Sequence, residues 1–184
     1  MRGYFGIGVE NISKEQNVGT IARSAHSFGA SFFFTIQPGI DVKALRTSDT
    51  SDAFDHMPYY QYDSPENLAL PMECTLVGVE LVDEAIELPS FRHPRRAAYI
   101  LGPEMGSLSE PVQAQCHHIV KIPMKFCVNV GVAAAIMMYD RMISMGRFAE
   151  RPVRHGGPLI EDGLAAKKQG STLRRKIRNK NKVR

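Results

Sequence analysis

Short apolar runs recur along most of the chain, separated by stretches in which apolar side chains follow a helix-like spacing. The runs are rich in aromatic and β-branched residues and are bounded by glycine, proline or polar residues, which is typical of buried strands. They cover residues 4–9, 31–36, 75–79, 97–101 and 119–122. The pattern therefore predicts a sheet built from short strands.

Two stretches between and after these runs have the apolar spacing of amphipathic helices. In residues 17–28 the apolar side chains recur mostly three positions apart, with Asn17 as the expected N-cap and Gly29 as the expected C-terminal stop. Residues 129–145 repeat the pattern, and Gly146 is expected to end that helix. Alternating strands and helices favour the α/β class, a parallel sheet with helices on both faces.

Two other parts of the chain lack this regularity. Residues 41–72 contain three prolines and the polar run 47–52, which predicts either a solvated connection or a substrate-facing loop. Prolines and glycines interrupt all periodicity from about residue 151 onward. We therefore expect a folded domain over residues 1–150, followed by a linker and tail over residues 151–184.

Charge is distributed unevenly between these two parts. Nine of the 23 basic residues lie within residues 167–184, which hold no acidic residue. The other 14 basic residues stand against all 19 acidic residues, so the tail carries +9 and the rest of the chain −5. A segment this basic and this poor in apolar residues cannot form a core, so we expect it to be disordered until it meets a polyanion. Nucleic acid is the main candidate; a solubilising role is an equal alternative, and an anionic membrane a weaker one.

Composition excludes several other classes. No apolar run approaches the roughly 18 residues that a membrane span requires, and residues 1–9 are too short and glycine-broken for a signal peptide. We expect a cytoplasmic protein with no membrane partner. The three cysteines, Cys74, Cys116 and Cys127, show no CxxC spacing, so neither a disulfide framework nor a zinc site is indicated. Their expected role is small apolar filler.

The start of the helix predicted over residues 17–28 is the first candidate for chemistry. Unpaired backbone N–H groups and the positive end of the helix dipole lie there, beside the small Gly19 and the guanidinium of Arg23. This combination suits a phosphate. Arg23 stays protonated and cannot act as a general base, but it can grip a phosphate and stabilise a developing oxyanion. A solvated arginine on the polar helix face is the alternative.

Two loops that follow predicted strands are the other candidates. Residues 102–108 are glycine-rich but match neither a Walker loop nor GxGxxG, and Glu104 is expected to form an ion pair or cap the following helix. In residues 122–129, Pro123 ends a strand and Asn129 is a natural N-cap. Cys127 beside a helix start suggests an activated thiolate, but no histidine lies nearby in sequence, so a thiol packed in the core is favoured.

Together these three segments resemble the motifs of the SpoU (TrmH) family of SPOUT methyltransferases. The first motif, Asn-x-Gly-x-x-x-Arg followed by Phe-Gly, is met by Asn17, Gly19, Arg23, Phe28 and Gly29. The second, Gly-x-Glu-x-x-Gly-Leu, is nearly met by Gly102, Glu104, Gly106 and Leu108, with the glycine one position early. The third, Ile-Pro-Met followed by Ser-Leu-Asn-Val-Ser-Val-Ala, is matched at Ile122, Pro123, Met124, Asn129, Val130, Val132 and Ala133. Arg46-Thr47-Ser48 and His56-Met57-Pro58 resemble the intermediate segment of the family, so the resemblance covers about residues 4–148.

The resemblance implies a parallel α/β sheet flanked by helices with a C-terminal deep trefoil knot, the SPOUT fold, in a homodimer that shares its active sites. It implies transfer of a methyl group from S-adenosylmethionine to a ribose 2′-hydroxyl of RNA, without a metal. The compact core, with no added RNA-binding domain before it, favours tRNA over rRNA as the substrate.

The resemblance also implies roles for individual residues. Backbone groups around Val79, Gly102, Ile122 and Val128 would hold the cofactor. Arg23 would engage the RNA phosphate and activate the 2′-hydroxyl, while Asn17, Glu104 and Asn129 would order the surroundings.

Some positions depart from the family pattern, and these keep other functions open. Cys127-Val128 replaces a Ser-Leu pair, Gly131 replaces a serine, and the loop over residues 122–129 is shorter than usual. A non-catalytic RNA-binding module that retains the knotted fold is one alternative. A tRNA base methyltransferase of a related knotted family is the other.

Overall fold

The computed structural model of the chain describes residues 3–42, 53–146 and 148. Seven strands lie in these parts, numbered here in chain order: β1 Tyr4–Glu10, β2 Phe32–Ile36, β3 Tyr59–Tyr62, β4 Thr75–Val79, β5 Ile86–Glu87, β6 Arg96–Leu101 and β7 His118–Lys121. The helices are α1 Glu15–Phe28, α2 Ala53–His56, α3 Glu110–Gln115 and α4 Val130–Met145. Two single 3₁₀ turns, Pro65–Asn67 and Leu88–Ser90, complete the regular elements.

The seven strands form one sheet in the order β3-β2-β1-β6-β4-β7-β5, and every neighbouring pair is parallel. The second half of this order is interleaved. Strand β6 inserts between β1 and β4, and β7 inserts between β4 and β5, although both inserted strands come later in the chain. All parallel strands share a carboxyl edge, so the loops that follow β1, β4, β6 and β7 meet at one side of the sheet.

Both faces of the sheet are covered, as the alternation of strands and helices predicts. On one face α1 and α4 pack together over β1 and β6, burying Ile7, Ile21, Tyr99, Ala134 and Met137 among others. On the other face α3 and the loops near it cover a smaller cluster that includes Phe34, Ile100, Leu108 and Val112. The α/β class with a parallel sheet flanked by helices is therefore confirmed.

A buried polar cluster anchors the C-terminal half of α4 to the amino ends of the strands. The Arg141 guanidinium donates to the backbone oxygens of Tyr4, Pro94 and Arg95 and to the Tyr99 hydroxyl, at 2.6–3.3 Å. It also lies 5.2 Å from the centre of the Phe5 ring. An arginine can be buried here because acceptors surround its donors.

His93 extends this cluster and has a defined protonation state. His93 Nε2 lies 2.9 Å from Asp140, whose carboxylate accepts the hydrogen bond, so Nε2 carries the proton of the neutral ring. Nδ1 then accepts from the Tyr99 hydroxyl, 2.6 Å away, which keeps its proton because burial raises the pKa of Tyr99 to about 12. Burial also lowers the pKa of His93, although Asp140 opposes this effect, so the imidazole is neutral at pH 7.

The predicted elements largely agree with the observed ones, with some corrections. All five predicted strands are present within one residue at each end, Gly29 ends α1 with a positive φ of 77°, and Asn129 caps α4. Asn17 is not the N-cap, since α1 begins earlier, at Glu15. The edge strands β3 and β5 and the short helices α2 and α3 are absent from the prediction because their apolar patterns are brief. The polar run 47–52, Arg46-Thr47-Ser48, the linker and the basic tail lie outside the described residues.

No helix in the described residues is long and apolar enough to cross a membrane.

Candidate active site

A cavity of about 300 Å³ opens at the carboxyl edge of the sheet. Its wall is formed by the segments that follow β1, β4, β6 and β7, together with the first turn of α4. The apolar lining includes Leu101, Ile122, Met124, Val128, Val130 and Ala133, and the polar side chains are Lys14, Glu80, Glu104, Cys127 and Asn129. The cavity is therefore apolar along one part and carries charged and amide groups along another.

Glu104 is the centre of the hydrogen-bond network at this edge. One carboxylate oxygen accepts from the backbone N–H and the hydroxyl of Ser13, both at 3.2 Å. The other accepts from the Lys14 N–H at 3.0 Å and from the Asn17 amide at 2.9 Å. Partial burial raises the pKa of Glu104, but these hydrogen bonds outweigh it and hold the pKa below its ordinary value. Glu104 is thus an ionised carboxylate that stabilises the start of α1.

Asn17 and Asn129 carry this network on to α4. The Asn129 amide donates to Asn17 Oδ1 at 2.9 Å, and Asn129 Oδ1 accepts from the Gly131 N–H at 2.8 Å, which caps the helix. The two helices approach closely here, since a Cβ on Gly131 would lie 2.8 Å from Thr20 Cγ2. One chain of hydrogen bonds therefore joins the loop after β6 to the starts of both α1 and α4.

Two further carboxylates fix the far end of the loop after β6. Glu80 accepts from the Leu108 N–H at 2.7 Å, and Glu10 accepts from the Ser109 N–H at 2.8 Å. The loop also folds tightly on itself, because a Cβ on Gly102 would lie 2.9 Å from the Leu108 nitrogen. The backbone of this loop is therefore held at both ends beside the cavity.

The structure brings most of the predicted site residues together. Val79, Gly102, Ile122 and Val128 all line the cavity, as do Glu104 and Asn129. Asn17 is buried and hydrogen-bonded to Glu104 and Asn129. Arg23 is the exception: it is exposed on α1 and is not part of the cavity lining. Within the described ranges, no carboxylate pairs with its guanidinium.

Several expectations about the surrounding groups are wrong. Among the described residues, Glu104 pairs with no arginine and does not cap the following helix; it stabilises α1, which precedes it in the chain. The N–H groups that Glu104 accepts from are those of Ser13 and Lys14, which come just before the first residue of α1. Cys127 is exposed and lines the cavity, so it is not a thiol packed in the core, whereas Cys74 is buried as expected.

Sequence reasoning missed three charged residues of this region. Lys14 and Glu80 line the cavity, and Glu10 is fully buried beneath the loop after β6. Glu10 and Glu80 each stand at or just after the end of a buried strand, and that position is the signal that identifies them. Parallel strands place such side chains at the shared carboxyl edge.

Comparison with known proteins agrees with this geometry. Residues 5–139 match the SpoU rRNA Methylase family. The chain belongs to that family. An uncharacterized tRNA/rRNA methyltransferase of Archaeoglobus fulgidus is 29% identical over 150 residues, which cover 74% of this chain and 63% of that protein.

Solved structures of SpoU proteins share the fold. The SpoU methyltransferase AviRb from Streptomyces viridochromogenes, in complex with AdoMet, has a TM-score of 0.68 at 23% identity over 80% of this chain and 60% of its own. A structure described as giving insight into the 2-OH methylation of C/U34 on tRNA has a TM-score of 0.68 at 24% identity, over 78% of this chain and 97% of its own. The chain thus spans less than two thirds of the length of AviRb and of the Archaeoglobus relative.

Gly102→Ala tests the tight loop of this SpoU chain. The added methyl group would collide with the Leu108 backbone, so we expect the loop to shift and the free energy of unfolding to fall by about 1–3 kcal/mol. Urea denaturation measures the change. Gly19→Ala is the matched control, because no heavy atom lies within 4 Å of its Cβ position and alanine favours a helix interior. Equal destabilisation by both substitutions would contradict the steric argument.

Glu104→Gln tests the carboxylate at the centre of the network. We expect a loss of about 1–2 kcal/mol in the free energy of unfolding at pH 7, because an amide cannot accept from every donor that Glu104 serves. The folded-state pKa of Glu104 lies below its ordinary value of 4.5, so its contribution is present above that value and is lost as the pH falls through the folded-state pKa. The difference between the two proteins should therefore narrow in acid.

Urea titrations at pH 7 and in the acid range measure this difference. Glu110→Gln is the control, since that glutamate is exposed at the start of α3, and a change within about 0.5 kcal/mol is expected. A Glu104→Gln deficit that is independent of pH would show that the charge is not what stabilises α1.

Proposed function

We propose that this protein is an S-adenosylmethionine-dependent methyltransferase that acts on a ribose 2′-hydroxyl of RNA. The observation that carries the proposal is the convergence of three separate segments on one cavity. Asn17, Glu104 and Asn129 come from those segments and form one hydrogen-bond chain at its edge. An arrangement of this kind serves to hold a ligand in a fixed orientation.

The residues of the cavity fit a nucleoside cofactor. The cavity has a volume of about 300 Å³ and an apolar wall that suits an adenine, and the charged groups of the cavity suit the ends of a methionine. A side chain at position 102 would collide with the backbone of Ser107 and Leu108, so the tight fold of this loop beside the cavity requires glycine. Backbone groups of Val79, Gly102, Ile122 and Val128 would hold the cofactor, which supplies an electrophilic methyl group on its sulfonium when bound.

The chain's own residues then act by positioning. Glu104, Asn17 and Asn129 fix the relative placement of the cavity wall, α1 and α4. The exposed guanidinium of Arg23 binds an RNA phosphate and steadies the negative charge that develops on the sugar oxygen. Because Arg23 does not line the cavity of its own chain, we place it at the cavity of a second copy.

A homodimer with shared sites is therefore part of the proposal. Its support is an apolar surface formed by α1 and α4, where Phe28 of α1 makes an edge-to-face contact with Tyr139 of α4. Val132, Tyr139 and Met145 of α4 are 40–48% exposed, which is unusual for large apolar side chains on one helix. We also propose the deep trefoil knot, supported by the interleaved order in which β6 and β7 enter between earlier strands.

The proposed substrate is tRNA in preference to rRNA, and the proposed location is the cytoplasm. The structure described for 2-OH methylation of tRNA, which this chain covers almost completely, supports tRNA. The basic residues of positions 167–184 would add sequence-independent affinity for RNA, which should fall steeply with salt.

Nucleoside analysis tests the proposal. The purified protein is incubated with methyl-labelled S-adenosylmethionine and either tRNA or rRNA from cells that lack it, and the RNA is digested to nucleosides. We expect label in 2′-O-methylnucleosides from tRNA. Label in the base would overturn ribose methylation in favour of base methylation. Calorimetry that detects RNA binding but no cofactor binding would identify a non-catalytic RNA-binding module.

A further inference from the structure

Glu80 lines the cavity, but none of the roles proposed above uses it. It directly follows β4, and its side chain is partly buried. Its Oε1 accepts from the Leu81 N–H at 2.8 Å and its Oε2 from the Leu108 N–H at 2.7 Å. These two hydrogen bonds hold the carboxylate in one orientation at the cavity wall.

A carboxylate held in this way can still bind a ligand. Its two oxygens offer about four acceptor positions, and two of them serve the backbone. An ionised carboxylate only accepts hydrogen bonds, so its ligand must offer hydroxyl or ammonium donors. Glu80 is part of the cavity lining, so a ligand in the cavity can reach the acceptor positions that remain.

The position of Glu80 favours the ribose of a nucleoside over an ammonium group. The apolar part of the wall, which includes Leu101 and Ile122, suits the flat base. Lys14, Glu104 and Asn129 provide separate charged and amide groups for the zwitterionic methionine end. A carboxylate just beyond the end of a parallel strand is also placed as ribose-binding acids are in other nucleotide sites of open α/β sheets.

We propose that Glu80 accepts hydrogen bonds from the ribose hydroxyls of the nucleoside cofactor and so favours a ribonucleoside over its deoxy counterpart. This inference rests on the cofactor named in the proposed function. Glu80 is a binding residue in this scheme and neither gives nor takes a proton.

Glu10 offers a matched control for the structural role of Glu80. It binds the N–H of the next residue of the same loop, Ser109, from the end of β1. It is fully buried and does not line the cavity, and its Oε1 has no hydrogen-bond partner within the described ranges. Glu10→Gln therefore disturbs the loop without touching the ligand.

Calorimetry on the full-length protein tests the inference with three probes. They are S-adenosylhomocysteine, its 2′,3′-dideoxy counterpart, and 5′-methylthioadenosine, which lacks the amino acid. We expect Glu80→Gln to lower the affinity for S-adenosylhomocysteine and for 5′-methylthioadenosine by about tenfold each. This is the size expected for the loss of one hydrogen bond to a charged group. The dideoxy ligand should bind both proteins within about twofold of each other, since it has no donors to lose. Glu10→Gln should change the three affinities by one common factor.

Each contrary result has a distinct meaning. If Glu80→Gln weakens all three ligands equally, Glu80 acts only on the loop and the inference is wrong. If it weakens S-adenosylhomocysteine but not 5′-methylthioadenosine, the carboxylate binds the ammonium group and the inference is wrong. If the unmodified protein binds none of the three, the cofactor of the proposed function fails as well. Circular dichroism of each variant establishes that it is folded, and a Glu80→Asp variant replaces Glu80→Gln if the latter is not.

Discussion

Arg23→Ala is expected to lower the rate of RNA methylation by about a hundredfold to a thousandfold while leaving cofactor affinity unchanged. In the proposed mechanism the guanidinium stabilises charge that develops on the sugar oxygen, whereas the cavity is lined by other residues. The substitution should not unfold the protein, because the side chain is exposed and alanine favours a helix. Single-turnover methylation assays and calorimetry measure the two effects separately.

The control for Arg23 is another exposed arginine, Arg92, which precedes β6 and so lies toward the opposite edge of the sheet. Arg92→Ala should leave methylation within about twofold of the unmodified protein. Full activity in the Arg23→Ala protein would remove Arg23 from the mechanism.

Mixing two inactive variants tests where Arg23 acts. Arg23→Ala removes the guanidinium, and Gly102→Ala is expected to distort the cavity wall of its own chain, so each protein alone should methylate RNA poorly. A mixed dimer with shared sites contains one site that neither substitution affects. We expect the mixture to recover part of the methylation activity. If mixed dimers form but stay inactive, Arg23 serves the cavity of its own chain.

Arg141→Met is expected to lower the free energy of unfolding by at least about 3 kcal/mol. Methionine retains much of the apolar stem but leaves the carbonyls of Tyr4, Pro94 and Arg95 and the Tyr99 hydroxyl without their donor. Buried acceptors that lose a charged partner carry the full cost of desolvation. Urea denaturation at pH 8, where His93 is neutral in both states, measures the loss.

Arg96→Met is the matched control for Arg141. Arg96 pairs with Glu73, but both side chains are substantially exposed, 42% and 70% respectively, so the pair should contribute less than about 1 kcal/mol. Similar losses from both substitutions would show that the buried cluster is not what anchors α4.

Local sequence was sufficient for the elements whose periodic pattern is long. The strands at residues 75–79 and 97–101 and the helix that Asn129 caps agree with the structure because each has a strong apolar pattern and clear boundary residues. The edge strand β3 has only four residues and little apolar patterning. Whether such a segment forms a strand depends on its pairing with a neighbouring strand, here β2, more than on its own composition. The order of the motifs likewise identified the family before any contact was visible.

Long-range contacts decided the details of the site. Asn17 is a residue type that favours the N-cap position, yet α1 begins two residues earlier, at Glu15. The N–H of its N-cap residue, Lys14, donates to the carboxylate of Glu104, which lies 90 positions away in the chain. Cysteine is a residue type that is usually buried in the core, yet Cys127 faces the cavity because the loop around it is not packed against the sheet. Neither outcome can be found in a window of neighbouring residues.

The chain's own periodicity, glycines and caps thus establish a parallel α/β sheet and the three segments that carry chemistry, since these depend on each residue and its near neighbours. The arrangement of the site depends on the strand order. The strand order brings Asn17, Glu104 and Asn129 together and leaves Arg23 outside the cavity. It also places the carboxylates of Glu80 and Glu10 under one loop. Strand order is set by packing between elements far apart in sequence, and no local pattern encodes it.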